Sequence, residues 1–141
     1  MEIIKCNKTH YTTLSGIWER SVRTTHDFLS EDSIEEIKES LISDYFPYVD
    51  IYAIDDNGRT TGFIGLSEDT IEMLFIDSDR LRHGYGSILI DLAKREGATK
   101  VNVNEQNSHA LAFYTAKGFR ITGRDATDEA GRPYPILHLS L

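Results

Sequence analysis

A short stretch in the middle of the chain combines positive charge with two glycines. Arg80, Arg82 and His83 precede Gly84 and Gly86, and no acidic residue stands among them. Glycine lets the backbone approach a phosphate closely, and the first N–H groups of a helix are open to an anion. These residue types in this order indicate a phosphate site at a helix start. Tight packing of a strand on a helix explains the glycines equally well.

Two common phosphate-binding motifs do not fit this stretch. A P-loop requires Gly-Lys-Ser or Gly-Lys-Thr, whereas Gly86 is followed by Ser87 and Ile88. The dinucleotide motif requires a third glycine, where this chain has Leu89. The stretch is therefore neither a P-loop nor a Rossmann phosphate loop.

The segments around this stretch predict helices and strands. Apolar residues recur every three or four positions over residues 8–24, which predicts an amphipathic helix. Ser33 and Glu36 have the spacing of a capping box, so we expect a second helix to begin there. The dipeptide Asn57-Gly58 between two apolar segments predicts a hairpin.

The whole pattern predicts one α/β domain over residues 1–141, with a mixed central sheet and the element order βααβββαβαββ. The predicted strands cover residues 2–6, 50–55, 59–66, 70–77, 99–104, 119–128 and 134–141, and the predicted helices cover residues 8–24, 33–45, 84–96 and 108–117.

Composition excludes several classes of protein. The chain has 141 residues with 15 Lys and Arg against 23 Asp and Glu, a net charge of −8, which argues against a nucleic-acid-binding surface. No apolar run approaches the about 20 residues that cross a bilayer, and the first residues lack the layout of a signal peptide. Cys6 is the only cysteine, so no internal disulfide and no cysteine-based metal site can form. We therefore expect a cytoplasmic protein with no membrane or nucleic-acid partner.

The combination of two motifs resembles the GNAT superfamily of N-acetyltransferases over essentially the whole chain. Residues 81–86 match the acetyl-CoA motif of that family, Arg/Gln-x-x-Gly-x-Gly/Ala, in both glycines, but Leu81 replaces the first residue of the motif. A second family block, Asn-x-x-Ala-x-x-Phe-Tyr followed by Gly-Phe, is intact as Asn107, Ala110, Phe113, Tyr114, Gly118 and Phe119. Residues 25–29, 101–107 and 131–135 are closer still to the bacterial YjaB-type acetyltransferases.

The resemblance implies the GNAT fold, in which the two central parallel strands splay apart and the pantetheine arm of acetyl-CoA lies between them. It implies acetyl-CoA as co-substrate and no metal. Arg80 and Arg82 flank the departure at Leu81, and either could supply the missing charge. The residues expected to bind the cofactor are Leu74, Phe75, Ile76, Arg80, Arg82, His83, Gly84, Tyr85, Gly86, Ser87, Asn107 and Tyr114.

The resemblance places Tyr114 beside the sulfur of CoA. The pKa of an ordinary tyrosine, about 10, exceeds that of a thiol, about 8.5, so full proton transfer to the leaving thiolate costs roughly 2 kcal/mol. A hydrogen bond that strengthens as the thiolate forms is the more economical role. The alternative is a tyrosine that packs a helix on the sheet.

Glu72 precedes the glycine stretch on its predicted strand, where many family members carry an acidic general base. Direct proton removal from a lysine-like ammonium by an ordinary Glu is uphill by about 6 pK units, or roughly 8 kcal/mol. The catalytic role therefore requires burial of Glu72, a water relay or a less basic amine. A solvent-facing strand carboxylate is the equal alternative.

His26 and Phe28 lie in the loop after the first predicted helix, which borders the acceptor site in this family. A histidine with its ordinary pKa near 6.5 suits proton transfer, and the ring of Phe28 could pack on a substrate. We expect His26, Phe28 and Glu72 at the substrate site and count His26 and Glu72 as candidate bases. The alternative for His26 is a residue that anchors the loop.

The resemblance implies direct transfer of an acetyl group from acetyl-CoA to a primary amine of a small molecule, peptide or protein. A covalent cysteine intermediate is not expected, because Cys6 lies at the N-terminus in a predicted strand. The alternative is an acyl-CoA-binding regulatory module with little or no catalysis. Dimers are frequent in the family, so a homodimer is one expected state.

Overall fold

The computed structural model describes residues 1–25 and 29–141. Their contacts divide the chain into two units, Met1–Ala98 and Thr99–Leu141, and the two units are considered in turn. The prediction of a single domain over the whole chain stays a prediction, as does the splay of the central parallel strands.

The first unit contains a four-stranded antiparallel sheet in the order β1-β2-β3-β4. Its strands are β1 (Glu2–Lys5), β2 (Asp50–Asp56), β3 (Arg59–Ser67) and β4 (Thr70–Ile76), and its helices are α1 (Tyr11–Thr25), α2 (Glu31–Ser40) and α3 (Tyr85–Arg95). Short turns of π and 3₁₀ helix, Leu41–Tyr45 and Phe46–Tyr48, lead from α2 into β2.

The hairpin between β2 and β3 forms at the predicted dipeptide. Asn57 and Gly58 both have left-handed backbone angles, with φ of 55° and 83°. A two-residue turn with two left-handed residues matches the right-handed twist of the flanking strands. The Asn-Gly prediction is confirmed.

Helix α1 buries its predicted apolar face. Leu14, Ile17 and Trp18 lie in one core with Phe46 and Phe63, whose rings meet edge to face at a centroid distance of 5.9 Å. Burial of each such aliphatic or aromatic side chain contributes about 1.5–3 kcal/mol before the entropy of ordering is subtracted. This core fixes α1 against the sheet.

The predicted start of α2 is wrong by one turn. Ser30, rather than Ser33, is the N-terminal cap, and its Oγ accepts a hydrogen bond from the Ser33 backbone N–H at 3.1 Å. Glu31 and Asp32 then occupy the first turn, where negative charge is favoured by the helix dipole. Of the two serines that could cap this helix, Ser30 is the cap, and this choice places both acidic residues in the first turn.

Strands β3 and β4 approach each other closely at a glycine. Gly62 pairs with Ile76, and a Cβ atom at position 62 would lie 2.5 Å from Cδ1 of Ile76 and 3.0 Å from the carbonyl oxygen of Phe75. The neighbouring Thr61 is the extra residue of a β-bulge, because Ile54 pairs with Gly62 while Asp55 pairs with Thr60. The bulge and the glycine together set the position of the end of β4.

The second unit contains a three-stranded antiparallel sheet in the order β5-β7-β6 and one helix. Its elements are β5 (Lys100–Asn104), α4 (Ser108–Ala116), β6 (Arg120–Asp125) and β7 (Ile136–Ser140). Strands β6 and β7 are shorter than predicted, because residues 126–135 form a loop closed by Asp128. The Asp128 carboxylate accepts the backbone N–H groups of Ala130 and Arg132 and pairs with the Arg132 guanidinium.

The described elements follow one another along the chain as predicted, and the α/β class is confirmed. Within residues 1–25 and 29–141, no helix combines the length and the apolar character needed to cross a membrane.

We expect Gly62→Ala to lower the free energy of unfolding by about 1–3 kcal/mol, because the added methyl group must move the end of the Ile76 side chain and lies only 3.0 Å from the Phe75 carbonyl oxygen of β4. Gly123→Ala is the matched control, since its Cβ would lie 3.5 Å from the His138 ring, an ordinary contact. Urea denaturation of the two variants and the wild-type chain measures both effects. Equal stability of Gly62→Ala and wild type would contradict the close approach of β3 and β4.

Candidate active site

Strand β4 carries the three residues that the family resemblance assigns to the pantetheine arm. Leu74, Phe75 and Ile76 are half-buried and pair with residues 62–64 of β3. The ring of Phe75 packs on Phe63 at a centroid distance of 5.8 Å, so its side chain belongs to the core. The contribution of Phe75 to cofactor binding is therefore limited to its backbone.

Glu72 lies in a β-bulge of β4. Gly65 pairs with Met73 and Leu66 pairs with Ile71, which leaves Glu72 as the extra residue. Bulges turn a side chain away from the regular alternation and are common next to active sites. The Glu72 side chain is exposed, which favours a water relay over direct proton removal by a buried carboxylate.

The loop from β4 to α3 has an unusual backbone. After a 3₁₀ turn over Ser78–Arg80, Arg82 has a φ of 66° and Gly84 a φ of 80°, both left-handed. Residues 81–84 are exposed, and a Cβ atom at Gly84 would meet nothing within 4 Å.

Helix α3 begins at Tyr85 without a side-chain cap among the described residues. The N–H groups at the start of a helix have no partner inside the helix and need a cap, water or a ligand. Gly86 and Ser87, in the first turn, are half-buried. Within the described part of the chain, the helix start therefore lacks a side-chain cap, and the anion site that the glycine pattern predicts stays a prediction.

The arginines of the loop differ in their surroundings. Arg80 lies 3.9 Å from a carboxylate oxygen of Asp79, which in turn binds Arg59 at 2.6 Å. Arg82 is exposed and has no ion-pair partner within the part of the chain that the structure describes. Leu81, where the family motif has Arg or Gln, is also exposed. Arg82 is the better placed of the two arginines to meet an anion.

The side chain of Tyr85 is part of the scaffold. Its ring is buried, and its hydroxyl donates a hydrogen bond of 2.6 Å to Oδ2 of Asp56, which ties α3 to the end of β2. That hydrogen bond raises the pKa of Tyr85. The His83 ring stacks on the Tyr85 ring at a centroid distance of 5.6 Å. Tyr85 can therefore contribute only its backbone N–H to a cofactor.

An ion-pair network that sequence analysis missed holds the start of the same loop. The buried carboxylate of Asp77 accepts two hydrogen bonds of 2.9 Å from Arg20 and one of 3.2 Å from Arg59. The hydrogen bonds from Arg20 hold the pKa of Asp77 below its ordinary value, although desolvation acts in the opposite direction. Asp77 is thus an ionised residue at the root of the candidate anion site. The partners stand on α1 and β3, and no local sequence signal connects them.

In the second unit, Asn107 is the N-terminal cap of α4. Its Oδ1 accepts a hydrogen bond of 3.1 Å from the backbone N–H of Ala110. This cap explains an asparagine at the head of the second motif without a cofactor. A role toward pantetheine would fall to the amide nitrogen of Asn107.

Tyr114 is buried on α4, where 6% of it remains exposed. Its ring meets Phe113 and Phe119 edge to face, at 5.4 and 5.7 Å. Burial raises the pKa of Tyr114 far above its ordinary value, because the phenolate is poorly solvated there. A phenol that stays neutral can donate a hydrogen bond but is a poor source of a full proton. The packing role and the donor role are therefore compatible.

Other polar residues of the second unit serve its own sheet. Asn102 on β5 contacts the His138 ring at 2.6 Å, and the other ring nitrogen contacts Asp125 at 2.8 Å. Asn104 accepts the backbone N–H of Gln106. These contacts account for the polar residues Asn102 and Asn104 on β5.

Two predicted substrate residues, His26 and Phe28, lie outside the described residues. Within the described ranges, no group of three or more His, Cys, Asp or Glu side chains is arranged to hold a metal ion. Of the predicted site residues that the structure describes, eleven lie on β4, the β4–α3 loop and α3, Glu72 among them. The other two, Asn107 and Tyr114, belong to α4 of the second unit.

Comparison with known proteins identifies the family. The sequence model described as "Acetyltransferase (GNAT) domain" matches residues 15–134. The chain is 43% identical over 129 residues to "Peptidyl-lysine N-acetyltransferase YjaB" of Salmonella typhimurium, covering 89% of this chain and 88% of that protein. It is 40% identical to the Escherichia coli protein of the same name, covering 90% and 87%.

Among solved structures, the solution structure of apo-form YjaB from Escherichia coli matches with a TM-score of 0.90 and 35% identity, over 99% of this chain and 95% of that one. A GNAT structure from Rhodopseudomonas palustris with 20% identity shares the fold at a TM-score of 0.80, over 99% and 95%. The chain belongs to the GNAT family of acetyltransferases.

Proposed function

We propose that the chain transfers an acetyl group from acetyl-CoA directly to a primary amine. The observation that carries the proposal is the start of α3, where exposed left-handed residues and an uncapped helix end meet the uncommitted charge of Arg82. Acetyl-CoA would supply a thioester, an activated form of the acetyl group. Its pyrophosphate suits this helix start, because N–H groups and a guanidinium both stabilise an anion.

The acidity of the chain does not oppose binding of this anion. The net charge of −8 is an average over 141 residues, whereas Arg80–Gly86 contains two arginines, a histidine and no acid. Charges farther away than about 10 Å are strongly screened at physiological salt. The local cations therefore decide the affinity for the pyrophosphate.

The chemistry requires a neutral amine and a stabilised thiolate. A new N–C bond forms while the C–S bond breaks, and the amine must lose a proton. Exposed Glu72 would take that proton through water, and Tyr114 would donate a hydrogen bond to the departing sulfur, which solvent then protonates. The raised pKa of Tyr114 keeps its donor proton in place across the physiological pH range.

The state of Cys6 supports direct transfer. The thiol is half-buried, and desolvation raises its pKa to about 11, so a nucleophilic thiolate is scarce at neutral pH. An acetyl-cysteine intermediate at Cys6 would need that thiolate. The amine is therefore the nucleophile that attacks the thioester.

The names of the relatives narrow the acceptor. Proteins that are 40–43% identical to this chain are called peptidyl-lysine N-acetyltransferases. We propose the side-chain amine of a lysine in a protein or peptide as the acceptor of this chain. The cytoplasmic location and a homodimeric state stay predictions.

Calorimetry with acetyl-CoA and a free-thiol assay over lysine peptides test the proposed function together. Micromolar binding and peptide-dependent release of CoA are the expected results. Binding with no turnover on any amine would favour the acyl-CoA-binding module, and absence of binding would overturn both functions.

We expect Tyr114→Phe to lower kcat roughly 10- to 100-fold with little change in the Kd of acetyl-CoA, because the lost donor acts mainly on the developing thiolate. Tyr48→Phe, at a tyrosine that is exposed, is the control and keeps wild-type kcat. Stopped-assay release of CoA and calorimetry give the two constants. An unchanged kcat would remove Tyr114 from the mechanism.

The raised pKa of Tyr114 predicts a loss of stability in alkali. Above about pH 10, ionisation of this tyrosine lowers the free energy of the unfolded chain, whereas in the folded chain the tyrosine stays neutral. The free energy of unfolding of the wild-type chain should therefore fall with rising pH more steeply than that of Tyr114→Phe. Urea denaturation between pH 8 and about pH 11 measures both slopes, and parallel slopes would show that Tyr114 ionises in the folded state.

The two roles of Arg82, strained backbone and cofactor contact, can be separated. Arg82→Gly relieves the left-handed conformation, which raises stability by about 1 kcal/mol, but it should weaken acetyl-CoA binding about 3- to 10-fold. Glu68→Gly is the matched control, because Glu68 also has a positive φ, 55°, in the turn between β3 and β4. We expect it to gain stability with unchanged affinity. Equal affinity of both variants would assign the charge to another residue.

A further inference from the structure

We propose that Asp77 is a positioning residue that sets the affinity for the phosphate-bearing part of acetyl-CoA by fixing the root of the β4–α3 loop to α1 and β3. This inference rests on the proposed function. Asp77 itself is buried behind the loop, with 2% of its side chain exposed, and is therefore placed to act through the loop rather than on the cofactor.

The side chain of Asp77 joins three segments that are distant in sequence. Arg20 on α1 binds it through two parallel hydrogen bonds, from Nε to Oδ1 and from Nη2 to Oδ2, each 2.9 Å long. Arg59 at the start of β3 donates to Oδ2 at 3.2 Å. Such a paired arrangement fixes direction as well as distance, because the guanidinium is a rigid fork.

The backbone of Asp77 is held at both of its polar atoms. Its N–H donates to the carbonyl oxygen of Thr61 at 2.8 Å, and its carbonyl oxygen accepts the N–H of Arg80 at 2.8 Å. Gly62 pairs with Ile76 in the register of β3 with β4, so Thr61 stands opposite Asp77 and this hydrogen bond extends the ladder of the two strands by one residue. These two hydrogen bonds fix the first turn of the loop relative to β3.

The sequence of α1 makes room for this contact. A Cβ atom at Gly16 would lie 3.3 Å from Nη1 of Arg20, so the guanidinium lies across the glycine, one turn earlier on the same helix face. Arg59, on β3, also donates a hydrogen bond from Nη2 to Oδ1 of Asp79 in the loop, at 2.6 Å. The loop is therefore tied to the sheet at both of its aspartates.

Arg20 and Arg59 balance the two negative charges of Asp77 and Asp79, and Arg80, 3.9 Å from Asp79, adds a positive charge at the edge of the network. Asp77 itself is negative, so the effect that we expect of it on an anionic ligand is one of geometry. Removing the Asp77 charge would, by Coulomb attraction alone, leave the site more positive and tighten the binding of acetyl-CoA. A positioning role predicts the opposite sign, because the loop N–H groups would no longer converge on the phosphates.

The experiment compares two thioesters in the full chain. Acetyl-CoA carries the phosphates, and S-acetylpantetheine carries the same thioester and arm without them. We expect Asp77→Asn to lower kcat/KM for acetyl-CoA about tenfold, mainly through KM, and to leave kcat/KM for S-acetylpantetheine near wild type. A general loss of structure would lower both values together.

A second variant keeps the test open if Asp77→Asn does not fold. Arg20→Lys preserves the charge and loses only the fork, and the Arg20 side chain is 53% exposed, so the chain should fold. We expect a smaller loss in the same direction, about threefold, again confined to acetyl-CoA.

Matched controls stand on the same helix. Arg23 also binds a carboxylate through two hydrogen bonds, to Glu31 at 2.7 and 3.0 Å, and Glu19 pairs with Lys38 and Arg23. Arg23→Lys and Glu19→Gln therefore break comparable contacts on α1 that do not involve the loop. Both should keep the wild-type ratio of the two kcat/KM values.

The outcomes separate the inference from the function on which it rests. A wild-type chain that neither binds nor uses acetyl-CoA would overturn the proposed function. A wild-type chain that does, together with an unchanged ratio or tighter acetyl-CoA binding in Asp77→Asn and Arg20→Lys, would overturn the role of Asp77. If S-acetylpantetheine is turned over too slowly to measure, the calorimetric Kd of CoA in the same four variants decides in the same way.

Discussion

The buried carboxylate of Asp77 is the constraint on which the candidate site depends. A carboxylate removed from water is costly unless it is paired and hydrogen-bonded, and Asp77 is compensated by two guanidinium groups from different elements. Because all three partners must be in place at once, the end of β4, the start of β3 and one face of α1 are fixed together. The loop that leads to α3 starts from this fixed point.

The N-terminal ends of α2, α3 and α4 differ in whether a side chain caps their first N–H groups. Helix α2 is capped by Ser30 and α4 by Asn107, both through a side-chain oxygen. Helix α3 begins at Gly84 with no such cap among the described residues, although a serine or aspartate there would satisfy an N–H group. Gly84 has a φ of 80°, which glycine adopts without strain, and a Cβ atom there would meet nothing within 4 Å. The start of α3 is therefore open and, within residues 1–25 and 29–141, uncapped, as the proposed binding of an anion requires.

The sequence predicted those features whose causes are local. The Asn57-Gly58 turn, the glycine that begins α3 and the apolar face around Trp18 follow from backbone preference and periodicity, and the structure confirms them. The predicted start of α2 was wrong because Ser30 and Ser33 are both suitable caps, and only the cap at Ser30 leaves Glu31 and Asp32 in the first turn. The contact between Arg20 and Asp77 spans 57 positions and could not be predicted from either neighbourhood.

Two buried residues of the same type, one in each motif, differ in the contacts that they make. Tyr85 and Tyr114 are both buried tyrosines of recognised motifs, yet the hydroxyl of Tyr85 is bound to Asp56, whereas Tyr114 is surrounded by aromatic rings. The first is committed to the scaffold, and the second keeps a neutral donor in an apolar setting where a hydrogen bond to developing charge is strongest. The same residue type therefore anchors a helix through its hydroxyl group in one unit and packs through its ring in the other, where its hydroxyl is the donor that the proposed transfer requires.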